Sequence, residues 1–298
     1  MANNKMLVEE RSRNIGNFMV GRLLPFREKR QVGPFTFIDH FGPAQVGPEV
    51  YSDVDQHPHT GLCTLSYLFA GETEHKDSTG AHQVIKPGDV GLMTAGKAVT
   101  HTERTPPHLR NGQSYLSHGY QVWIALPLEK EEMEPRFDFV AKEDLPQWKE
   151  GDLRMILVAG DGYGRTSPLP VHSPLFMVDV LAEKEGNLDI AGNLEGEIAV
   201  VVVKGSVRDP KQDEGNMVEA GQMLISKTEN ECCLWLEAGT QLLLFGGPAL
   251  PEPRYLFWNF VASSKDRLKQ ASDAWKNKEF PKVPGDDTYI PLPMPFKR

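Results

Sequence analysis

Cysteine is scarce in this chain, and long apolar runs are missing from it. Only three cysteines occur among 298 residues, at Cys63, Cys232 and Cys233, which is too few for the disulfide framework of a small secreted protein. No stretch approaches the roughly 18 consecutive apolar residues that a membrane-spanning helix needs, and the first residues lack the apolar segment of a secretory signal. These absences predict a protein of a reducing compartment, with the cytoplasm as its location and no membrane partner.

Positive charge is also in deficit. Lysine and arginine total 32 against 41 aspartates and glutamates, which gives a formal net charge of −9. A nucleic-acid-binding face requires clustered basic residues, whereas lysine and arginine are dispersed along this chain. We therefore expect no direct binding to nucleic acid. If the chain has a protein partner, its acidic composition suits a basic one.

Helical periodicity is rare, while short apolar runs separated by turn residues are common. Runs such as CTLSYLFAGE, LRMILVAGDG and EIAVVVVKGSV have the length of strands, and 27 glycines and 23 prolines are dispersed among them. This pattern predicts an all-β protein built from sandwiches or barrels. One segment differs: SSKDRLKQASDAWKNKEF, residues 263–280, has a serine cap, an acidic first turn and apolar residues at helical spacing. It predicts a helix near the C-terminus.

A charged, proline-containing segment divides the chain near its middle. Residues 126–152 separate two blocks of strand-like runs that are similar in length. We therefore expect one domain at residues 1–140, a second at 141–255, and a helix with a tail at 256–298. Eight of the nine histidines precede residue 120, and His172 is the exception. Histidine chemistry is accordingly expected in the first domain.

Two pairs of polar residues stand out in the first block. Residues i and i+2 of a strand point to the same face, so His57 and His59 project together while Pro58 turns away. Proline is tolerated at strand starts, edges and bulges, which places this pair at a strand entrance. The segment VTHTER repeats the arrangement, with His101 and Glu103 on one face.

Three imidazoles and one carboxylate from two strands can converge on one cation. A single H-x-H pair also fits two solvated histidines at a strand end, but a second pair in an all-β context favours a metal site. The donor set suits one divalent first-row metal, Fe(II) first, with Mn, Ni, Zn or Cu as alternatives. Four protein ligands leave up to two positions of an octahedral ion open, as a reactive site needs and a structural zinc does not.

The motifs resemble those of the pirin family in the cupin superfamily. The pattern H-P-H followed by M-T-A-G-x-x-x-x-H-x-E, together with GPFTFIDHFGP and LLLFGGPALPEPRYLFWNFVASS, carries this resemblance over nearly the whole chain. It implies a bicupin, in which two jelly-roll-like β-barrels pack together, the first with a metal and the second without. By position, the resemblance implies four metal ligands in the first barrel, usually for iron: His57, His59, His101 and Glu103.

The resemblance also implies a function. Some pirins resemble quercetin 2,3-dioxygenases, so we expect an oxygen-rich, flavonol-like small molecule as the ligand and Glu103 as the catalytic base. The alternative is a non-enzymatic, iron-dependent redox-sensing regulator that binds a transcription factor or a metabolic enzyme. A third reading is a bicupin for another small, oxygen-rich ligand. A monomer is expected.

One position departs from the family pattern. Where many cupins and pirins carry a glutamate four residues after the second histidine, this chain has Cys63. We expect a small buried apolar residue there. The alternative is a thiol close enough to tune the metal or to be oxidised. His75 and His82, on either side of the turn segment KDSTG, are expected to be structural residues at the barrel rim.

Overall fold

The computed structural model describes residues 5–15, 18–208, 217–229 and 233–293. Cys232 lies outside these ranges. The strands, numbered in chain order, are β1 Met6–Glu9, β2 Arg11–Asn14, β3 Met19–Leu24, β4 Phe35–Val46, β5 Val54–His59, β6 Leu62–Ala70, β7 Thr73–Asp77, β8 His82–Ile85, β9 Val90–Thr94, β10 Val99–Arg104, β11 Tyr115–Ala125, β12 Arg136–Val140, β13 Gln147–Glu150, β14 Leu153–Gly162, β15 Arg165–Thr166, β16 Phe176–Ala182, β17 Gly186–Asp189, β18 Glu197–Lys204, β19 Ser206–Arg208, β20 Met217–Glu219, β21 Gln222–Lys227, β22 Cys233–Leu236, β23 Gln241–Gly247, β24 Tyr255–Phe257 and β25 Phe260–Ala262. The helical elements are α1 Lys265–Lys276 and three short 3-10 helices at Pro107–Leu109, Leu128–Lys130 and Lys142–Asp144. The predicted all-β class with a single C-terminal α-helix is confirmed.

The described strands form five sheets. Their orders are β1-β21-β18-β23-β16-β14-β13 with β15 on β14, β5-β10-β7-β8, β12-β9-β6-β11-β4-β3-β2, β17-β22-β19-β20, and β24-β25. Spatial neighbours are often distant in the chain; β6, for example, lies between β9 and β11. Such crossing connections are typical of jelly rolls and Greek keys rather than of simple meanders.

The chain divides into two compact units, which we name the apolar unit and the histidine unit. The apolar unit comprises Met1–Ser12, Gly21–Asp39 and Val140–Leu250; the histidine unit comprises Arg13–Val20, His40–Phe139 and Pro251–Arg298. The core of the apolar unit consists of aliphatic and aromatic side chains, many of them from β14, β16, β18 and β23. Alternate residues of β18 (Ile198, Val200 and Val202) are buried there, as expected when one face of a strand lines a core.

These units do not coincide with the predicted continuous domains 1–140, 141–255 and 256–298. The difference arises because a sheet edge can be completed by a strand from any part of the chain. At the N-terminus, β1 pairs antiparallel with β21, and Met6 lies opposite Ile225, so the first strand belongs to the apolar unit. The C-terminal segment from residue 251 onward joins the histidine unit.

The C-terminal helix begins as its sequence predicts. The Ser264 side chain accepts a hydrogen bond from the backbone N–H of Arg267, which satisfies one of the free N–H groups of the first turn. Leu268 and Trp275, seven residues apart on one helix face, are buried in a cluster with Phe260. Helical spacing therefore predicted both the start of α1 and its buried face. Among the described residues, no helix is both long and apolar enough to cross a membrane.

A glycine separates β5 from β6. Gly61 adopts φ +68°, a left-handed conformation that residues with a Cβ rarely take. A Cβ at this position would lie 2.0 Å from the carbonyl oxygen of Val261, and the Gly61 N–H donates to the Gly96 carbonyl at 2.8 Å. The turn means that β6, which carries Cys63, is not a straight continuation of the strand that carries the two histidines.

Candidate metal centre

Three histidines from two paired strands meet inside the histidine unit. Strands β5 and β10 are antiparallel, with His101 opposite His57 and Val99 opposite His59. The ring centroids of His57 and His101 are 4.2 Å apart, those of His59 and His101 are 5.0 Å apart, and those of His57 and His59 are 5.1 Å apart. One potential ligand nitrogen from each ring lies within 4.8 Å of the others, and all three residues are buried. Within the described residues, no other group of at least three such side chains was found.

Two of these rings are oriented by backbone carbonyls. The Nδ1 of His57 lies 2.8 Å from the Asp55 carbonyl oxygen, and the Nδ1 of His59 lies 3.2 Å from the Asn259 carbonyl oxygen. Because a carbonyl only accepts, each ring carries its proton on Nδ1 and keeps a lone pair on Nε2. This is the arrangement in which a metal-binding histidine donates its other N–H to an outer partner.

His101 completes the cluster with an unsatisfied nitrogen. Its Nε2 is buried and has no hydrogen-bond partner among the described residues, while its Nδ1 lies 3.4 Å from the Nδ1 of His75. Buried polar atoms are nearly always hydrogen-bonded, so an exception in the middle of a histidine cluster calls for a ligand. Three buried imidazole nitrogens are a donor set that fits a divalent first-row metal.

Burial keeps the three imidazoles neutral. Desolvation is the largest effect on each ring and lowers the pKa of His57, and it lowers the pKa of His59 and His101 far below the usual range. Mutual repulsion between the rings acts in the same direction for His59 and His101. At His57 the negative charge of Glu103 opposes the effect of burial. A neutral imidazole is the form that binds metal.

Acid should destabilise the metal-free protein through these histidines. Their pKa values are lowered by folding from an ordinary value of 6.5, so the unfolded chain binds more protons below that pH. As far as these histidines are concerned, the free energy of unfolding is highest above about pH 6.5. It decreases as the pH falls towards the pKa values of the folded state. Each histidine adds a slope of at most about 1.4 kcal/mol per pH unit to the free energy of unfolding.

This pH dependence is measured by denaturant unfolding of the metal-free protein between about pH 7.5 and pH 5.5. The variant His101→Ala should show a shallower slope than the wild type, because one buried imidazole is gone. The control His82→Ala removes a histidine whose side chain is 57% exposed and which lies outside the cluster. Identical slopes in the wild type and His101→Ala would contradict the expectation.

The fourth predicted ligand, Glu103, lies beside the histidine cluster rather than within it. Its carboxylate is not part of the group of ligand atoms that lie within 4.8 Å of one another. Its Oε1 accepts hydrogen bonds from Gln121 Nε2 at 2.5 Å and from Ser66 Oγ at 3.4 Å. Its charge nevertheless acts on His57. The carboxylate is thus within electrostatic reach of the cluster, and polar side chains of β6 and β11 hold it there.

A second histidine–carboxylate pair lies behind His101, and the sequence motifs did not single it out. His75 Nε2 lies 3.0 Å from Asp77 Oδ2, and the His75 ring stacks on Phe137 with centroids 4.2 Å apart. Both His75 and Asp77 are buried. The signal was present in the sequence, because H-x-D has the same i, i+2 spacing as the H-x-H and H-x-E pairs described above. His82, by contrast, is exposed and bonds Glu74.

Cys63 is a packing residue. Its side chain is buried, its Sγ lies 3.4 Å from Thr94 Oγ1, and burial raises the pKa of the thiol to about 12. Alternation along β6 places Cys63 and Ser66 on opposite faces, and Ser66 is the residue that bonds Glu103. These contacts favour the small buried residue over the metal-tuning thiol.

Comparison with known proteins identifies relatives for both halves of the chain. The family described as Pirin matches residues 17–124, and the Pirin C-terminal cupin domain matches residues 177–281. A pirin-like protein of Caulobacter vibrioides is 42% identical over 294 residues, which cover 97% of this chain and 99% of that protein. A Pseudomonas aeruginosa protein provisionally named quercetin 2,3-dioxygenase is 34% identical over 262 residues, covering 88% and 80% of the two chains.

The fold is shared with a solved structure over nearly the full length of both chains. The crystal structure of a quercetin 2,3-dioxygenase from Acinetobacter baumannii superposes with a TM-score of 0.88 and 33% sequence identity, covering 99% of this chain and 97% of that one. The predicted bicupin architecture is thereby confirmed. On the matches to both of its halves and on its identity to a pirin-like protein over nearly its full length, this chain belongs to the pirin family.

Proposed function

We propose that this protein binds one divalent metal ion, Fe(II) in preference to Mn, Ni, Zn or Cu, and oxidises a flavonol or a related enol in the manner of a quercetin 2,3-dioxygenase. One observation carries the proposal: the buried Nε2 of His101 lacks a partner among the described residues, and two further neutral imidazoles lie beside it. The names of relatives at 33% and 34% identity support the substrate class.

The proposed ligands are His57, His59 and His101, with Glu103 as the fourth. Three imidazoles and a carboxylate are donors that Fe(II) accepts readily, as do the other first-row ions named above. When bound, the metal supplies Lewis-acid stabilisation of a deprotonated substrate oxygen and a means of reacting with dioxygen. The protein supplies the donors, the orientation of the rings and the proton acceptor.

Glu103 is the proposed general base. In the described chain, both hydrogen bonds recorded for its carboxylate are accepted by Oε1, from Gln121 and Ser66. These two donors orient the group, and we assign uptake of the substrate's hydroxyl proton to Oε2. A positioned base of this kind typically contributes about 10²–10⁴-fold to a reaction rate.

An apolar ring packs against the histidine cluster. The indole of Trp123 meets His59 edge to face, with centroids 5.1 Å apart, and Trp123 is itself buried. Its position on β11, two residues beyond Gln121, places both side chains on the same strand face. A flat aromatic substrate would thus meet an apolar wall beside the polar groups that bind its oxygens, a combination common in small-molecule sites.

Oxygen consumption by metal-loaded protein tests this function. The protein is loaded with Fe(II) without air, freed of excess metal, and mixed with quercetin and dioxygen. We expect consumption of oxygen by the wild type and by His82→Ala, and no consumption above background by the metal-free protein or by His59→Ala. A loaded wild type that is inert, or a His59→Ala variant of equal activity, would contradict the proposal; inert loaded protein would favour the iron-dependent regulator instead.

A further inference from the structure

Asp77, His75 and His101 form a continuous line of polar contacts that ends at the histidine cluster. Asp77 Oδ2 lies 3.0 Å from His75 Nε2, and His75 Nδ1 lies 3.4 Å from His101 Nδ1. The residues come from neighbouring strands β7 and β10, where Asp77 pairs with His101. Their exposed fractions are 0%, 3% and 0%, so solvent offers little competition for these contacts.

The carboxylate of Asp77 determines which ring nitrogens along this line carry protons. An ionised carboxylate only accepts, so His75 carries a proton on Nε2, and in the neutral ring its Nδ1 then has a lone pair. The facing Nδ1 of His101 must then donate, which leaves the Nε2 of His101 without a proton. This nitrogen is the buried one that lacks a partner among the described residues. With a neutral His75 ring, the line of contacts thus selects the metal-binding form of His101.

Asp77 is held as a carboxylate with its two oxygens in different roles. Oδ1 accepts from the Thr79 N–H, the Thr79 hydroxyl and the Ala81 N–H at 2.8, 2.6 and 3.3 Å. Oδ2 accepts from His75. Burial alone would raise the pKa of Asp77, but the hydrogen bonds from His75 and Thr79 outweigh it and lower the pKa. Phe137 stacks on the His75 ring and so restrains the plane of that ring.

We propose that Asp77 and His75 are positioning residues that set the tautomer of His101 and thereby its capacity to bind metal. They act through His101 and do not contact the metal themselves. The inference rests on the proposed metal site and adds two residues to it. Outer-shell partners of metal-binding histidines are typically worth about 10–100-fold in metal affinity.

The substitution Asp77→Asn should exchange the donor and acceptor roles at each contact along the line. The amide oxygen can keep the donors of the turn, and the amide nitrogen then replaces Oδ2 and donates to His75 Nε2. His75 must carry its proton on Nδ1 and donate to His101, whose proton moves to Nε2. A protonated Nε2 cannot bind a metal. Exchange of a carboxylate for an amide can leave such a pair in place while enforcing the wrong tautomer.

Two measurements on the full-length protein test the inference. Long-range ¹H–¹⁵N NMR spectra of the metal-free protein report which ring nitrogen of His101 is protonated. Competition with a chromogenic chelator reports the affinity for Zn²⁺, an air-stable probe of a three-histidine site. We expect the proton on Nδ1 in the wild type and on Nε2 in Asp77→Asn, with Zn²⁺ affinity lower by about 10–100-fold in the variant.

A matched pair on β7 and its other neighbour, β8, provides the control. Glu74 bonds His82 at 2.8 Å, but the His82 side chain is 57% exposed. Within the described residues, no hydrogen bond connects His82 to the histidine cluster. Glu74→Gln is thus also a carboxylate-to-amide exchange beside a histidine. It should change neither the His101 tautomer nor the Zn²⁺ affinity.

A second variant separates action through His75 from a purely structural effect. His75→Phe keeps an aromatic ring against Phe137 but removes both nitrogens, so His101 loses its fixed tautomer and Zn²⁺ binds more weakly. Adding Asp77→Asn to this variant should then have no further effect on affinity. A structural role of Asp77 would instead weaken binding in both backgrounds, as independent effects add. If Asp77→Asn fails to fold, His75→Phe alone still tests the line.

The outcomes are distinguishable. A wild-type tautomer of His101 in Asp77→Asn, or equal Zn²⁺ affinity in the wild type, Asp77→Asn and His75→Phe, would overturn this inference and leave the metal site standing. A wild-type protein that does not bind Zn²⁺ would instead contradict the proposed function on which the inference rests.

Discussion

Replacing His101 by alanine should abolish stoichiometric metal binding. His101 contacts both other rings of the cluster, with centroid distances of 4.2 Å to His57 and 5.0 Å to His59. Without it the proposed ligand set keeps two imidazoles and Glu103 and loses an imidazole that lies against both of the others. We expect the affinity to fall by more than about 100-fold, because removal of a ligand exceeds the effect of removing an outer-shell partner.

Metal content and thermal stability measure this effect independently. The wild type should retain about one ion per chain after loading and brief chelation. At a free metal concentration 100 times Kd it should also gain about 2.7 kcal/mol in the free energy of unfolding. His101→Ala should show neither, whereas His82→Ala should match the wild type. A His101→Ala protein that keeps a full equivalent of metal would remove this residue from the site.

The pairing of His57 with His59 could be predicted because it depends on local geometry alone. Any strand turns residues i and i+2 to one face, and a proline at the strand entrance does not change that. The helix at the C-terminus was predictable for the same reason, since its cap and buried face are set by neighbouring residues. The fold class followed from the length and texture of the apolar runs.

Features that depend on distant backbone atoms left no pattern in the sequence. The carbonyl of Asn259, which orients His59, can belong to any residue type, and only the return of the C-terminal segment to the histidine unit brings it there. The strand β1 completes a sheet of the apolar unit through main-chain hydrogen bonds that any sequence offers. Sequence motifs therefore could not predict which segments of the chain make up each unit.

The sequence also did not predict an irregularity in β5. His101 lies opposite His57, but Glu103 lies opposite Val54, so two steps along β10 correspond to three along β5. The extra residue is a β-bulge, a device that redirects groups near functional sites. It lies beside Asp55, whose carbonyl oxygen is the acceptor for His57 Nδ1. Alternation predicted which side chains share a face and not which carbonyl would orient them.

The substitution Glu103→Gln should lower turnover strongly while preserving the local structure. The substitution keeps the size of the side chain and an oxygen that can accept from Gln121 and Ser66, the donors that now hold Glu103. It removes the negative charge and the capacity to take up a proton. We expect the turnover number of the Fe(II)-loaded enzyme to fall by about 10²–10⁴-fold and metal binding to weaken.

The two losses must be separated, because Glu103 is proposed both as ligand and as base. Turnover is therefore measured at saturating Fe(II), with Glu74→Gln as the control, since Glu74 is a carboxylate of the neighbouring strand that bonds the exposed His82. If Glu103→Gln stays inactive when fully loaded, the missing function is proton transfer. If saturating metal restores wild-type turnover, Glu103 is a ligand only and the base lies elsewhere. The geometry favours the first result. The Glu103 carboxylate lies beside the cluster, where it accepts hydrogen bonds from two side chains, and it is not part of the group of histidine nitrogens.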